Sequence, residues 1–239
     1  MSEVRTALVT GATSGIGRAA ALALGRDGFR ILVHGRDAER GAAVVKEIEG
    51  AGGSAEFLAA DLTDVAAIDG LAAAAGEVEV LVNNAGFSWF GPTADLAPDT
   101  FDALFGANVR SAYYLTAAIA PKMAERGHGV IVNLGSMAGQ IGLSGGAAYS
   151  ATKAALASLT RSWAAEYSPA GVRINTIAPG PAYTGGSSRE SLTALGKTTL
   201  LARTAEAEEI GQVIAFLASP AAGYITGALV PVDAGRTAV

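Results

Sequence analysis

Tyr149 and Lys153 stand four residues apart inside a strongly helical run, residues 147–167. Helix positions i and i+4 lie one above the other, with Cβ atoms about 5–6 Å apart. A free phenol, with a pKa of about 10, exchanges protons poorly at neutral pH. A fixed ammonium beside it favours the phenolate and is expected to bring the Tyr149 pKa down towards working range. Tyr149 is then a candidate acid or base, and Lys153 its tuner. Ser136, thirteen residues upstream of Tyr149, adds a hydroxyl at the end of an apolar run. Taken alone, the Tyr–Lys pair far more often describes an ordinary helix with a half-buried Tyr and an exposed Lys. The elements around it carry the weight.

Residues 130–134, Val-Ile-Val-Asn-Leu, read as a buried strand that ends at Gly135-Ser136. A serine at the end of a parallel strand faces the site formed where the strands finish. Near the N-terminus a short apolar run, 7–9, meets Thr10-Gly11-Ala12-Thr13-Ser14-Gly15-Ile16-Gly17, and a helical pattern follows over 18–26. Strand, glycine turn and helix form the context of a phosphate-binding loop. Gly11 allows the tight turn, Gly15 lets backbone approach a pyrophosphate, and Gly17 lets the helix pack on the strand. The helix N-terminus offers free N–H groups and partial positive charge to the phosphates.

Further strands are expected at 29–34, 55–59, 78–82, 172–177 and 228–233, and helices at 37–51, 99–124 and 206–217, with one more from Asp64. Asp37 is the expected N-cap of its helix. Asn108 lies inside the expected 99–124 helix at an unremarkable position. Alternating strands and helices imply one Rossmann-type domain over 1–239, a doubly wound sheet of about seven parallel strands with helices on both faces. The polar, weakly patterned segment 185–204 is the odd piece, and such a stretch in a compact domain is usually functional or mobile.

Composition narrows the function. The chain has 239 residues, half of them hydrophobic, enough for a sizeable core. A net charge of −5 gives no bulk case for nucleic acid. Cysteine is absent, and the two histidines, His34 and His128, are far apart, so a metal site is not expected. No signal peptide is read before the first strand, and no apolar stretch reaches membrane-spanning length. A cytoplasmic protein is expected.

Ser136, Tyr149 and Lys153 at these spacings, with Gly11, Gly15 and Gly17, resemble the short-chain dehydrogenase/reductase family, including its 3-oxoacyl-(acyl-carrier-protein) reductase-like members. The resemblance covers nearly the whole chain. It implies hydride exchange between nicotinamide and a ketone or secondary alcohol. Ser136 would hydrogen-bond the substrate oxygen, Tyr149 would exchange its proton, Lys153 would also bind the nicotinamide ribose, and Asn108 would hold a proton-supplying water. Cofactor contacts would come from Gly11, Thr13, Ser14, Gly15, Ile16, Gly17, His34 and Arg36, then Asp61 and Leu62 at the adenine. Asn84, Ala85 and Gly86 would follow, with Tyr149, Lys153, Pro179, Gly180, Ala182 and Thr184 by the nicotinamide. Asp61 is also a candidate turn or cap residue. Residues 185–204 would form a substrate lid. An apolar pocket is expected from Trp89, Met137, Gln140, Ile141, Leu143, Tyr183 and residues 192–195. A homotetramer is expected through the long helices.

NAD-preferring members carry a carboxylate at the end of the second strand, where this chain has Gly35 followed by Arg36. A guanidinium suits a 2′-phosphate, so the implied cofactor is NADP(H), with His34, Arg40, Thr13, Ser14 or Arg18 assisting. A carboxylate introduced at Gly35 is expected to move preference towards NADH. Kept alongside are an NAD-dependent alcohol dehydrogenase, an epimerase or dehydratase on the same fold, and a catalytically silent dinucleotide-binding regulator.

Overall fold

A computed structural model describes residues 5–186 and 188–239; Ser187, within the expected lid, lies outside the described residues. The strands are β1 (Thr6–Val9), β2 (Arg30–Gly35), β3 (Ser54–Ala59), β4 (Val80–Asn83), β5 (Gly129–Leu134), β6 (Val172–Pro179), the two-residue β7 (Ala182–Tyr183) and β8 (Ala205–Glu206), and β9 (Leu229–Val232). The helices are α1 (Gly15–Arg26), α2 (Ala38–Gly50), α3 (Val65–Ala75), α4 (Pro98–Phe105), α5 (Ser111–Arg126), α6 (Ala147–Tyr167), α7 (Arg189–Gly196) and α8 (Ala207–Ala218).

Seven strands form one parallel sheet in the order β3-β2-β1-β4-β5-β6-β9, and β7 pairs with β8 apart from it. Val9 pairs with Val33 on one side and Val82 on the other, so the strand order reverses between β1 and β4. Both faces of the sheet are covered. Ala7 and Val9 pack with Leu24 of α1, Ile48 of α2 and Ile214 of α8. Leu8 points the other way, to Ile68 of α3, Leu115 of α5 and Trp163 of α6. Two buried faces explain why the strands read as unbroken apolar runs, without alternation.

Two local expectations change. The single helix over 99–124 is three pieces: α4, a π-helical turn over Gly106–Arg110, and α5. The Ser111 N–H reaches back five residues to the Gly106 carbonyl. Helical periodicity in the sequence does not register one residue of extra winding, and Asn108 sits within it. In the segment 185–204, α7 forms where little pattern is visible. Polar bonds hold it: the Ser188 hydroxyl accepts from the Ser191 N–H at 3.1 Å, and the Thr204 hydroxyl donates to the Leu192 carbonyl at 2.6 Å.

Candidate active site

Parallel strands deliver their C-terminal ends to one edge of the sheet, and a ligand crevice forms where the order reverses. Here the ends of β1 and β4 meet. Gly11 and Gly15 both adopt left-handed backbone, φ +64° and +52°, which only glycine takes up cheaply. At Gly17 a Cβ would meet the Gly11 carbonyl, and would lie 2.5 Å from the Asn84 side-chain nitrogen. Ser14, at the N-cap of α1, makes no side-chain cap bond, and the first turn of α1 holds no acidic residue. Open N–H groups, a positive helix end and a glycine cradle fit a dinucleotide pyrophosphate. A Cβ at Gly15 would come within 3.0 Å of Thr184 Cβ, so the chain after β6 lies against this loop.

The loop is braced from three sides. Thr10, whose role the sequence does not reveal, accepts N–H bonds from Asn84 at 2.9 Å and Ala85 at 3.0 Å, and donates to the Val82 carbonyl. The Asn84 amide donates to the Thr10 and Gly11 carbonyls. Behind them a buried polar ladder runs from Thr116 through Asn83, Asn133 and Thr160 to Thr176, tying β4, β5 and β6 to α5 and α6.

His34 is the third brace, and it corrects an expectation. Its side chain is 2% exposed. The Gly11 N–H donates to Nδ1 at 3.3 Å, which puts the ring proton on Nε2, 3.2 Å from the Ala60 carbonyl. Desolvation by burial lowers its pKa, against the opposing pull of the Ala60 bond. His34 is therefore a neutral strut beneath the loop and adds no positive potential. Two other cations are also committed. Arg18 donates to Glu47 at 2.9 Å, and Arg40 pairs with Asp37 at 2.9 Å. Asp37 caps α2 by accepting the Arg40 N–H. Arg36 is exposed and makes no ion pair among the described residues.

Asp61 accepts from the Thr63 N–H and hydroxyl, which lower its pKa, so one carboxylate oxygen shapes its own turn. Leu62 is buried and Ile16 packs against the core beneath α1. Pro179 ends β6, the Gly180 N–H donates to the Val232 carbonyl at 3.0 Å, and Ala182 is buried at the start of β7.

On the other side of the switch point stand Ser136, Tyr149 and Lys153. Ser136 takes extended backbone after β5, and its hydroxyl accepts the Ala138 N–H at 3.1 Å. The turn then rests on α6 through Gly139, where a Cβ would lie 2.9 Å from the Ala154 nitrogen. Burial raises the Tyr149 pKa, and a hydrogen bond with Ser136 pulls the other way. Lys153 is 5% exposed, its ammonium donates to the Leu134 carbonyl at 2.8 Å, and burial lowers its pKa to about 8. The expected lowering of the Tyr149 pKa by Lys153 is not found. The ammonium lies 5.7 Å from the ring centroid and is aimed at the Leu134 carbonyl, while desolvation of the phenol dominates.

Asn108 differs most from its sequence reading. It is 1% exposed. Its oxygen accepts the Phe87 N–H at 2.9 Å, and its amide donates to the Phe87 carbonyl at 2.9 Å and the Thr152 hydroxyl at 3.0 Å. Thr152 donates in turn to the Tyr149 carbonyl. With both amide hydrogens committed, only oxygen atoms at Asn108 are left to meet a water. A Cβ at Gly86 would lie 2.5 Å from the Asn108 oxygen, so that glycine makes room for the brace. Thr152 carried no signal in the sequence, because its role depends on a partner 44 residues away.

Over Tyr149 lies Phe90, ring centroids 5.5 Å apart, its loop pinned where the Gly91 N–H donates to the Gly145 carbonyl at 3.0 Å. Trp89 leaves the expected pocket. It lines a separate apolar cavity of about 600 Å³ with Leu96, Phe101, Phe105, Ala148 and Ala151. Met137 is buried and Gln140 is exposed. Among the described residues no group of three or more acidic or histidine side chains could hold a metal, and no helix is long and apolar enough to cross a membrane.

The profile of the short chain dehydrogenase family matches residues 5–193. A cyclopentanol dehydrogenase from Comamonas sp. (strain NCIMB 9872) is 34% identical, covering 98% of this chain and 97% of that protein. The 3-oxoacyl-(acyl-carrier-protein) reductase FabG of Thermotoga maritima is 32% identical, covering 98% of each. Among solved structures, a blue fluorescent protein from a metagenomic library in complex with NADPH superposes with a TM-score of 0.91, at 33% identity over 97% of each chain. Fold, site and relatives agree: the chain belongs to the short-chain dehydrogenase/reductase family of oxidoreductases.

Proposed function

We propose that this protein is an NADPH-dependent oxidoreductase that interconverts a ketone and a secondary alcohol. The observation that carries the chemistry is the Tyr149 hydroxyl, desolvated and facing Ser136, with the Lys153 ammonium nearby. The bound dinucleotide supplies the hydride. Tyr149, held in its protonated form by burial, gives its proton to the substrate oxygen in reduction and takes it back in oxidation. Ser136 donates to the same oxygen and orients it. Lys153 binds the nicotinamide ribose and, once turned from Leu134 towards it, stabilises the phenolate left on Tyr149. Asn108 and Thr152 hold the first turn of α6 in place.

NADPH is the reading because the end of β2 carries no carboxylate and exposed Arg36, which has no ion pair among the described residues, follows it. The NADPH-bound relative supports it. On the substrate side Phe90, over the Tyr149 ring, with Ile141, Leu143 and residues 192–195, would form a mainly apolar surround for a neutral carbonyl compound. A 3-oxoacyl thioester or a cyclic ketone suits it. No dedicated basic patch argues for a carrier protein: Lys122, Arg126 and Arg173 are scattered, and the two arginines are bonded to the Val78 and Ser219 carbonyls, which favours a free substrate over a carrier-bound one. Exposed Tyr113 and Tyr114 on α5 fit a homotetramer built across the long helices. A cytoplasmic place is part of the same proposal.

The test is reduced-nicotinamide consumption by the purified protein over a panel of ketones and thioesters, with both dinucleotides. Arg36→Ala should weaken NADPH at least about tenfold, the value of a lost charge-assisted pair, and NADH little. Equal kcat/KM for NADH and NADPH in the wild type would refute the cofactor assignment.

A further inference from the structure

Gly35 is glycine for lack of space. Its backbone is ordinary extended strand at the end of β2, in register with Ala59, and is absent from the glycines with positive φ. The residue is buried. A Cβ built on it would sit inside the Cγ2 methyl of Thr13, and 3.3 Å from the Thr13 hydroxyl oxygen. The three nearest heavy atoms all belong to Thr13, so its side chain is the first obstacle there. Threonine is stiff at χ1 and places heavy atoms in two of its three staggered directions. Only the setting that turns its lone Cβ hydrogen towards Gly35 would clear the space.

We propose that Thr13 is a dinucleotide-specificity residue, whose methyl excludes any side chain, and so any carboxylate, from the end of β2. The inference rests on a dinucleotide bound at the glycine loop. It adds a repulsive element to the attraction of Arg36 for a 2′-phosphate. Discrimination between close ligands commonly needs both. It also corrects the expectation that a carboxylate at Gly35 is sufficient to turn the preference. The acidic side chain cannot be seated while Thr13 keeps its methyl. Serine at position 13 keeps the hydroxyl and frees two of the three staggered settings.

The test is a four-protein cycle of wild type, Thr13→Ser, Gly35→Asp and the double variant. Dissociation constants for NADH and NADPH are measured by titration calorimetry, and the thermal midpoint without ligand. Gly35→Asp alone should lose NADPH affinity, gain none for NADH and melt lower. Adding Thr13→Ser should restore the midpoint and tighten NADH at least about tenfold over Gly35→Asp alone. If Thr13→Ser changes NADH affinity and midpoint equally with and without Gly35→Asp, the inference is overturned.

Should Gly35→Asp fail to fold, the same cycle with Gly35→Ala decides through the thermal midpoint. Coupling supports the proposal and additivity removes it. Failure of the NADPH reading looks different. It would appear as wild-type protein binding NADH as tightly as NADPH, whether or not positions 13 and 35 are coupled.

Discussion

The two sides of the proposed substrate space are held by different physics. The floor, Ser136 and the first turn of α6, is fixed by buried bonds from Asn108 to Phe87 and Thr152, from Thr152 to Tyr149, and from Lys153 to Leu134. The cover, the segment around α7, is fixed at the surface. Arg189 lies over the Tyr183 ring at 4.0 Å and pairs with Glu206 at 3.6 Å, Tyr183 meets Thr193 at 2.7 Å, and Leu200 and Leu201 are largely exposed. Buried bonds have no competing water and strongly penalise loss of a partner. Exposed pairs are individually weak and can be exchanged. On the proposed function, the geometry for proton transfer would lie on the side that cannot drift, and selectivity on the side that can.

Four measurements test that contrast. Tyr149→Phe should reduce kcat by about 10²–10⁴-fold, the span of a lost general acid, and leave dinucleotide affinity close to wild type. A variant keeping a tenth of the activity would remove Tyr149 from the acid role. Next is Asn108→Ala, which strips the floor of three bonds and leaves buried partners unmet. It should destabilise the fold by about 1–3 kcal/mol in urea unfolding and lower kcat in parallel. Loss of activity at full stability would mean that Asn108 acts on the reaction and not on the brace.

The third measurement is a pH titration of stability. The folded pKa of His34 lies below its ordinary 6.5, so the unfolded chain takes up this proton first as pH falls. His34 therefore contributes stability that is complete above 6.5 and is lost below it. Thermal midpoints should fall as the pH drops below about 6.5, more steeply in wild type than in His34→Asn. Equal slopes would show that the strut is not titrating. The smallest effect belongs to the cover. Arg189→Ala should change stability by less than about 1 kcal/mol, because its pair is exposed, and should move KM more than kcat. A large loss of kcat there would erase the distinction between the two sides.

Much of the floor was legible. The Tyr149–Lys153 spacing, the strand before Ser136 and the flanked glycine loop are local patterns, and helix and strand geometry convert local spacing into position. The parallel sheet followed from alternating apolar runs and helices in the same way. The segment 185–204 was opaque because its order comes from polar side-chain bonds such as Thr204 to Leu192, which leave no hydrophobic period.

The sequence by itself therefore determined which residues face one another along a single element, and which elements follow one another. Only the tertiary structure decided what depends on neighbours distant in the chain. That includes the π-turn that lodges Asn108 against Thr152, the neutral state of His34 beneath Gly11, the surface pairing of Arg18 with Glu47 and of Arg40 with Asp37, and the methyl of Thr13 in the space above Gly35. Each is a through-space contact between separate elements. Periodicity carries no trace of it, because the cost of a lost partner or a clash arises only once the sheet has brought the two segments together.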